Sequence, residues 1–444
     1  MGKHFGTDGI RGLANIELTP ELAFKVGQAG ALVLKKDRAA RFVIAKDGRV
    51  SGDMLEAALS AGICSVGGFV YSAGILPSPA VSYLTHINNM DAGIMISASH
   101  NKMEDNGIKI FSPLGYKIPD ETEDLIESYM DAEFYRPLGR DVGMINVLSG
   151  ALEDYTGFLK NSVANQRFDG LKIVIDSANG AASNVAHIVF EWLGARVYSI
   201  NNKPNGTNIN DKCGSTHIEC LQNYMEKGGF DVGFSLDGDA DRCFAVTEKN
   251  KVVDGDGIMA MCAEYLSKKG KLKDNTLVST VMSNQGLEVF CKERSLKMLR
   301  ADVGDKYVLK EMLDKKYNLG GEQSGHIIFG DHLNTGDGIL TALMILSIMA
   351  EQNKPLSELV KGLETFPQVL INVVVSNELK NSIGANLTIQ SSINEITNEL
   401  GNNGRILVRP SGTEPLVRVM IEGRNEEKIK TMAQNLAELI KSEA

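Results

Sequence analysis

Six cysteines in 444 residues include no C-x-x-C pair, so a small disulfide scaffold is excluded and the thiols suit a reducing compartment. Cys213, His217 and Cys220 lie close in sequence, but no fourth ligand is nearby and the spacing matches no common zinc site; loop thiols are the simpler reading. Long apolar runs are missing too. The longest, residues 339–350, falls short of the about 20 residues that a bilayer requires, is flanked by Asp337 and Glu351, and reads as a buried helix. The amino-terminal stretch has no apolar signal core, and Gly6 stands where a myristoylation motif needs Ser or Thr, so a cytoplasmic, unlipidated chain is expected. Basic clusters are also absent: 46 Lys+Arg face 56 Asp+Glu, for a formal charge of -10. Phosphate backbones repel such a surface, which disfavours nucleic acid as a partner. An anionic substrate would need sites that locally reverse the sign.

What is present is globular. With 43% apolar and 23% charged residues the composition is ordinary, and the length suggests two to four domains. Short strands alternate with amphipathic helices, which predicts α/β layers with largely parallel sheets. Strands are expected at 41–45, 68–71, 91–97 and 107–111, with helices at 20–36 and 52–65, in a domain ending near residue 150. A second unit, 151–252, has strands at 171–175, 196–200, 230–236 and 243–247. A third, 253–365, has a helix at 258–269, strands at 276–280 and 296–300, and the apolar helix. The tail, 366–444, differs in kind: strands at 369–375, 405–408 and 416–421 pack with helices at 387–400 and 426–441, whose apolar residues fall on one face. The expected fold is three mixed or largely parallel α/β domains followed by a C-terminal α+β domain.

Four loops carry chemistry. Ser97-Ala98-Ser99-His100-Asn101 follows a strand, where open α/β sheets bind ligands; no G-x-S-x-G elbow surrounds Ser99, but a serine hydroxyl can carry a phosphate if cations hold its added charge. Lys109 is near enough in sequence to supply charge or a proton. In Asp237-Gly238-Asp239-Ala240-Asp241-Arg242, carboxylates at i, i+2 and i+4 repel one another unless a cation sits among them, and hard oxygen ligands suit Mg²⁺ or Ca²⁺. Glu248 is at the twelfth position of a calcium loop counted from Asp237, yet Arg242 stands where that loop needs Gly and both flanks are strands, which favours magnesium. Gly320-Gly321-Glu322-Gln323-Ser324-Gly325-His326 puts polar groups between glycines, suited to sugar hydroxyls. Arg409-Pro410-Ser411-Gly412-Thr413-Glu414-Pro415 offers backbone N–H groups, hydroxyls and a guanidinium to an anion. From 401 to 424 there are four Arg and two Glu, so this stretch is locally positive. Alone, the first and third loops are no more than turns.

In this order the four loops resemble those of the α-D-phosphohexomutase superfamily: a phosphoserine, a metal, a sugar and a phosphate loop, one per domain around a central cleft. Phe5-Gly6-Thr7-Asp8-Gly9-Ile10-Arg11-Gly12 and Gly321-Glu322-Gln323-Ser324-Gly325 are most similar to the bacterial branch acting on glucosamine phosphates. The resemblance implies interconversion of glucosamine 6-phosphate and glucosamine 1-phosphate through a phosphoserine and a 1,6-bisphosphate, which also serves as activator, on the way to UDP-N-acetylglucosamine and the cell wall. It implies catalytic roles for Ser99, His100, Lys109 and Arg11, one Mg²⁺ held by Ser99, Asp237, Asp239 and Asp241, and substrate contacts from Arg242, Glu322, Ser324, His326, Arg409, Ser411, Gly412, Thr413 and Arg418. The expected partner is a phosphosugar, without nucleic acid or membrane, in a monomer or homodimer. Two positions depart from the pattern: Lys102 replaces a proline, loosening the phosphoserine loop, and Lys306 replaces an arginine. Two rivals stay open, an enzyme of glucose or mannose phosphates and a non-catalytic calcium- or sugar-binding protein.

Overall fold

The computed structural model describes residues 4–6, 8–35, 38–411 and 415–443. They form two compact units: Met1–Met282 with Leu296–Lys361, and Ser283–Ser295 with Gly362–Ala444.

The first unit holds three sheets. The seven-stranded sheet runs in the order Phe5–Gly6, Gly9–Leu13, Asp105–Phe111, Ala92–Ile96, Arg41–Lys46, Phe69–Ile75, Ile145–Val147. Its middle strands are parallel, joined by the helices Ser51–Ser65 and Ser78–Ile87, and Phe42, Ile44, Ile94 and Ile96 are fully or almost fully buried. Such buried runs are what a sheet covered on both faces requires. The five-stranded sheet runs Val252–Val253, Cys243–Thr247, Val232–Leu236, Lys172–Asp176, Arg196–Ile200, and the four-stranded one Lys297–Ala301, Thr276–Thr280, Leu319–Gly321, Ile327–Phe329. The apolar stretch forms the helix Gly338–Gln352, N-capped by Asp337, with ten of its residues buried. No helix of the described residues is long and apolar enough to cross a membrane.

In each sheet one strand turns back beside its predecessor. Ala92–Ile96 pairs antiparallel with Asp105–Phe111, Val232–Leu236 with Cys243–Thr247, and Leu319–Gly321 with Ile327–Phe329, while each first strand has a parallel neighbour on its other side. The parallel neighbour fixes where the strand's carboxyl end lies, and the antiparallel return leaves a short loop there. Those loops are the phosphoserine, metal and sugar loops read from the sequence.

The second unit is an antiparallel three-stranded sheet, Gln368–Val374, Leu416–Gly423, Gly404–Pro410, covered by the helices Leu387–Leu400 and Glu426–Ser442. The helix Gln285–Glu293, which falls in sequence inside the third expected domain, groups with this unit. Asn284 exchanges hydrogen bonds with the Phe366 backbone at 2.9 and 3.0 Å, Gln285 N donates to Glu422 Oε2 at 3.0 Å, and Arg405 donates to Ser283 O at 2.7 Å.

Candidate active site

Ser99 is almost fully buried, and its φ of 54° places a non-glycine residue in the left-handed region. Its hydroxyl donates to Asp237 Oδ2 at 2.5 Å, and His100 Nδ1 is 3.4 Å from Ser99 Oγ. The two loops touch so closely that a Cβ on Gly238 would stand 2.5 Å from Ser99 O, which is why that position lacks a side chain.

Asp237, Asp239 and Asp241 are buried, with ligand oxygens all within 4.8 Å of one another. Asp239 Oδ2 accepts from Ser78 Oγ at 2.5 Å and Lys109 Nζ at 2.7 Å, while Asp241 Oδ2 faces Lys109 Nζ at 3.6 Å and His326 Nδ1 at 3.5 Å. Their other oxygens, Asp239 Oδ1 and Asp241 Oδ1, are buried without a hydrogen-bond partner. Burial, then Asp241 and Asp239, push Asp237 well above the usual carboxylate range. Orphaned buried oxygens and mutual repulsion are the conditions a hard divalent cation relieves, so these residues fit magnesium. The calcium-loop alternative does not fit: Glu248 hydrogen-bonds Ser357 through both Oγ and N. Among the described residues Cys213, His217 and Cys220 form no metal-competent group; the exposed His217 ring meets Glu219 at 3.2 Å.

Cations surround the triad. Burial lowers the affinity of Lys109 for its proton, but Asp239, Asp8 and Asp241 outweigh it, so the group is raised and stays charged. Arg11 pairs with Asp8, and Lys117 bridges Asp8 to Asp305, 2.6 Å from Asp305 Oδ2. Burial, Arg242 and Arg11 together push His100 down to about 4, leaving it neutral at pH 7. Burial would lower His326, but the Asp241 hydrogen bond and the charges of Asp241 and Asp305 raise it.

The sugar loop is tied to the metal loop. Cys243 N, directly after the metal loop, donates to Gly325 O at 3.0 Å, and Ala240 O of the metal loop accepts from Gly338 N at the start of the apolar helix at 2.9 Å. Glu322 Oε1 accepts from Gly304 N at 3.2 Å, and Arg242 is among the charges acting on its carboxylate. Ser324 Oγ is buried without a hydrogen-bond partner. Lys306 pairs with Asp120 at 2.8 Å and lines a cavity of about 380 Å³ beside Lys117, Asp305 and His326.

In the second unit, Arg409 and Arg418 sit opposite each other across neighbouring strands. Burial and the Arg418 charge lower Arg409, as expected of like charges directly opposite each other. Ser411 is buried, its N donating to Leu416 O at 2.9 Å. Gly412 and Thr413 lie outside the described residues.

Ser99, His100, Arg11, Lys109, the three aspartates, Arg242 and His326 are thus assembled around one spot. Sequence reasoning missed Ser78, Lys117 and the pair Asp47 and Arg49, and quoted Asp8 and Asp305 only within motifs. Asp47-Gly48-Arg49 does follow the strand Arg41–Lys46, so the strand-end rule that located the other loops also points to it.

Family models for phosphoglucomutase/phosphomannomutase match all along the chain: α/β/α domain I at 2–136, domain II at 153–251, domain III at 254–366 and the C-terminal domain at 370–439. A protein of Thermoanaerobacter sp. (strain X514) named phosphoglucosamine mutase is 53% identical over 443 residues, 99% of each chain. One of the same name from Clostridium botulinum (strain Eklund 17B / Type B) is 51% identical over 446 residues, 100% of each. Among solved structures, a phosphoglucomutase/phosphomannomutase family protein of Burkholderia thailandensis shares the fold with a TM-score of 0.84 at 23% identity, over 98% of this chain and 97% of that one. The N-acetylphosphoglucosamine mutase of Aspergillus fumigatus, in complex with GlcNAc-6P and magnesium, aligns with a TM-score of 0.70 at 19% identity, over 98% and 95%.

Proposed function

Because the chain belongs to the phosphoglucomutase/phosphomannomutase family, we propose that it acts as a phosphoglucosamine mutase, an isomerase interconverting glucosamine 6-phosphate and glucosamine 1-phosphate. The observation that carries this reading is the contact of a buried serine hydroxyl with a buried three-carboxylate cluster, ringed by Lys109, Arg11 and Arg242.

Ser99 carries the phosphoryl group. Its Oγ–P bond breaks as a bond forms from phosphorus to the free hydroxyl of the bound sugar phosphate, making the 1,6-bisphosphate. The bisphosphate turns around and returns its other phosphoryl group to Ser99. Asp237, Asp239, Asp241 and the phosphate on Ser99 would hold a magnesium ion, which would supply charge neutralisation for the transferring oxygens. Lys109, kept charged by its carboxylates, and Arg11 add to that field. A loose transition state asks little of a base, so positioning and charge dominate. His100, neutral at pH 7 and 3.4 Å from Ser99 Oγ, can take and return the hydroxyl proton. Glu322, Ser324 and His326 hold the sugar, with the unpartnered Ser324 hydroxyl awaiting a polar group. Arg409, Ser411 and Arg418, with Gly412 and Thr413, hold the phosphate that is not reacting. The bisphosphate also primes unphosphorylated enzyme. A cytoplasmic location suits a chain with no C-x-x-C pair, and sedimentation would tell a monomer from a homodimer.

A coupled assay for glucosamine 1-phosphate, with and without a sugar bisphosphate, tests the proposal. Turnover on glucosamine 6-phosphate should exceed that on glucose and mannose 6-phosphates by about tenfold or more in kcat/KM. Equal or greater turnover on either of those would reassign the substrate, and metal binding without isomerisation would leave only a binding protein.

A further inference from the structure

Resting on that phosphoserine reading, we infer that Arg49, together with Asn210, is the positioning device that holds Ser99 in the backbone conformation from which phosphoryl transfer runs. The left-handed conformation of Ser99 is unfavourable for a residue with a Cβ, so it persists only where the surroundings impose it. Arg49 imposes it. The side chain is completely buried, and all five of its N–H donors are used. Nε donates to Asp47 Oδ2 at 2.9 Å, Nη2 to Ser99 O at 3.1 Å and Asn101 O at 2.9 Å, and Nη1 to Lys102 O and to Asp105 O at 2.9 Å. The phosphoserine loop is therefore wrapped around one guanidinium, whose rigid fork a flexible ammonium cannot reproduce.

The amide on the other side of Ser99 is fixed from the same ion pair. Ser99 N donates to Ser97 Oγ at 2.9 Å, and Ser97 Oγ donates to Asp47 Oδ2 at 2.5 Å. Both peptide planes flanking the Ser99 Cα are thereby pinned, which sets φ and ψ together. Asn210, from the metal-loop domain, donates its amide to Ser99 O at 2.9 Å and Asn101 O at 2.8 Å. The same carbonyl is gripped from both domains, so Ser99 Oγ is fixed relative to Asp237. Lys102, which departs from proline, is among the residues held: Arg49 supplies the restraint that the missing ring would have given. Neither Arg49 nor Asn210 bonds the reacting oxygen, so both act through the backbone of Ser99.

The test compares wild type with Arg49→Lys and Asn210→Gly at saturating magnesium and bisphosphate. Glycine at 210 suits that residue's φ of 56° while deleting the amide. A misplacement of about 1 Å costs on the order of 10²-fold, so kcat should fall about 10²-fold in Arg49→Lys and about tenfold in Asn210→Gly. KM for glucosamine 6-phosphate should stay within about threefold, because the sugar is held elsewhere, and the rate at which a sugar bisphosphate loads phosphate onto Ser99, read by intact mass, should fall with kcat. Asn210→Gly decides the matter if Arg49→Lys does not fold. Variants that turn over within about twofold of wild type, or whose loss lies in KM alone, would overturn the inference with the mutase reading intact. An inactive wild type would overturn both.

Discussion

Ser99 Oγ lies 2.5 Å from Asp237 Oδ2, although 138 residues separate them in the chain. The hydroxyl proposed to take the phosphate and the carboxylates proposed to take the metal therefore form one site built from two domains, yet they should make separable contributions. Ser99→Ala should lose about 10³-fold or more in turnover while still binding Mn²⁺, read by electron paramagnetic resonance, within about threefold of unphosphorylated wild type. Turnover at the wild-type level would remove Ser99 from the mechanism.

The buried carboxylates repel one another, so magnesium should stabilise the fold as well as activate it. At about 100 times its Kd, a ligand bound only by the native state adds about 2.7 kcal/mol. The melting temperature of chelator-treated protein should rise on adding Mg²⁺, and the rise should shrink strongly in Asp239→Asn. A melt indifferent to Mg²⁺ would contradict the assignment of the triad.

Lys109 is the counterion of that triad when no metal is bound. Lys109→Met would leave Asp239 and Asp241 without their buried cation, and breaking such a pair costs about 3 to 5 kcal/mol. The variant should melt well below wild type in chelator and recover part of the difference in Mg²⁺, with turnover reduced at every magnesium concentration. A variant as stable as wild type in chelator would show that the pair is not needed.

Asp337 caps the apolar helix through Ile339 N and Leu340 N and accepts from Tyr155 Oη at 2.9 Å. Burial pushes its carboxyl up to about 6 despite those bonds. Because the folded pKa lies above the unfolded one, the native state binds the proton more tightly, so this group's contribution to stability falls as pH rises from about 4 to about 6. Asp337→Asn keeps the cap and the tyrosine contact without the charge. Its stability relative to wild type should grow over that window, by up to about 3 kcal/mol, measured as the difference in melting temperature. A difference independent of pH would contradict the assignment.

Arg409 and Arg418 face each other across neighbouring strands. A charge-assisted hydrogen bond contributes about 1.5 to 3 kcal/mol, so Arg409→Ala should raise KM for the sugar phosphate about 10- to 100-fold and leave Ser99 phosphorylation by a bisphosphate detectable. An unchanged KM would move the phosphate site elsewhere.

Much of this is legible in the sequence. The four loops were visible because their residue types are unusual at strand ends, and the strands Arg196–Ile200, Cys243–Thr247 and Thr276–Thr280 were read with their observed bounds because their apolar residues are bounded by turn residues. The helix Asp305–Lys315 leaves little trace in the sequence: it buries only Val308, Leu309 and Met312, a weak periodic signal. The helix Gln285–Glu293 gave no hint that Glu422 and Phe366 are its partners. Arg49 was invisible for a different reason. Four of its five donors meet backbone carbonyls, which every residue possesses, so no sequence pattern marks them; only the tertiary fold shows a guanidinium at the centre of the loop.

Following a radioactive phosphoryl group through one turnover tests the central claim most directly. Enzyme labelled on Ser99 by a ³²P sugar bisphosphate, mixed with unlabelled glucosamine 6-phosphate and quenched at short times, should pass its label to sugar bisphosphate and then sugar phosphate at least as fast as the steady-state turnover. Label that stays on the protein while glucosamine 1-phosphate accumulates would contradict the account.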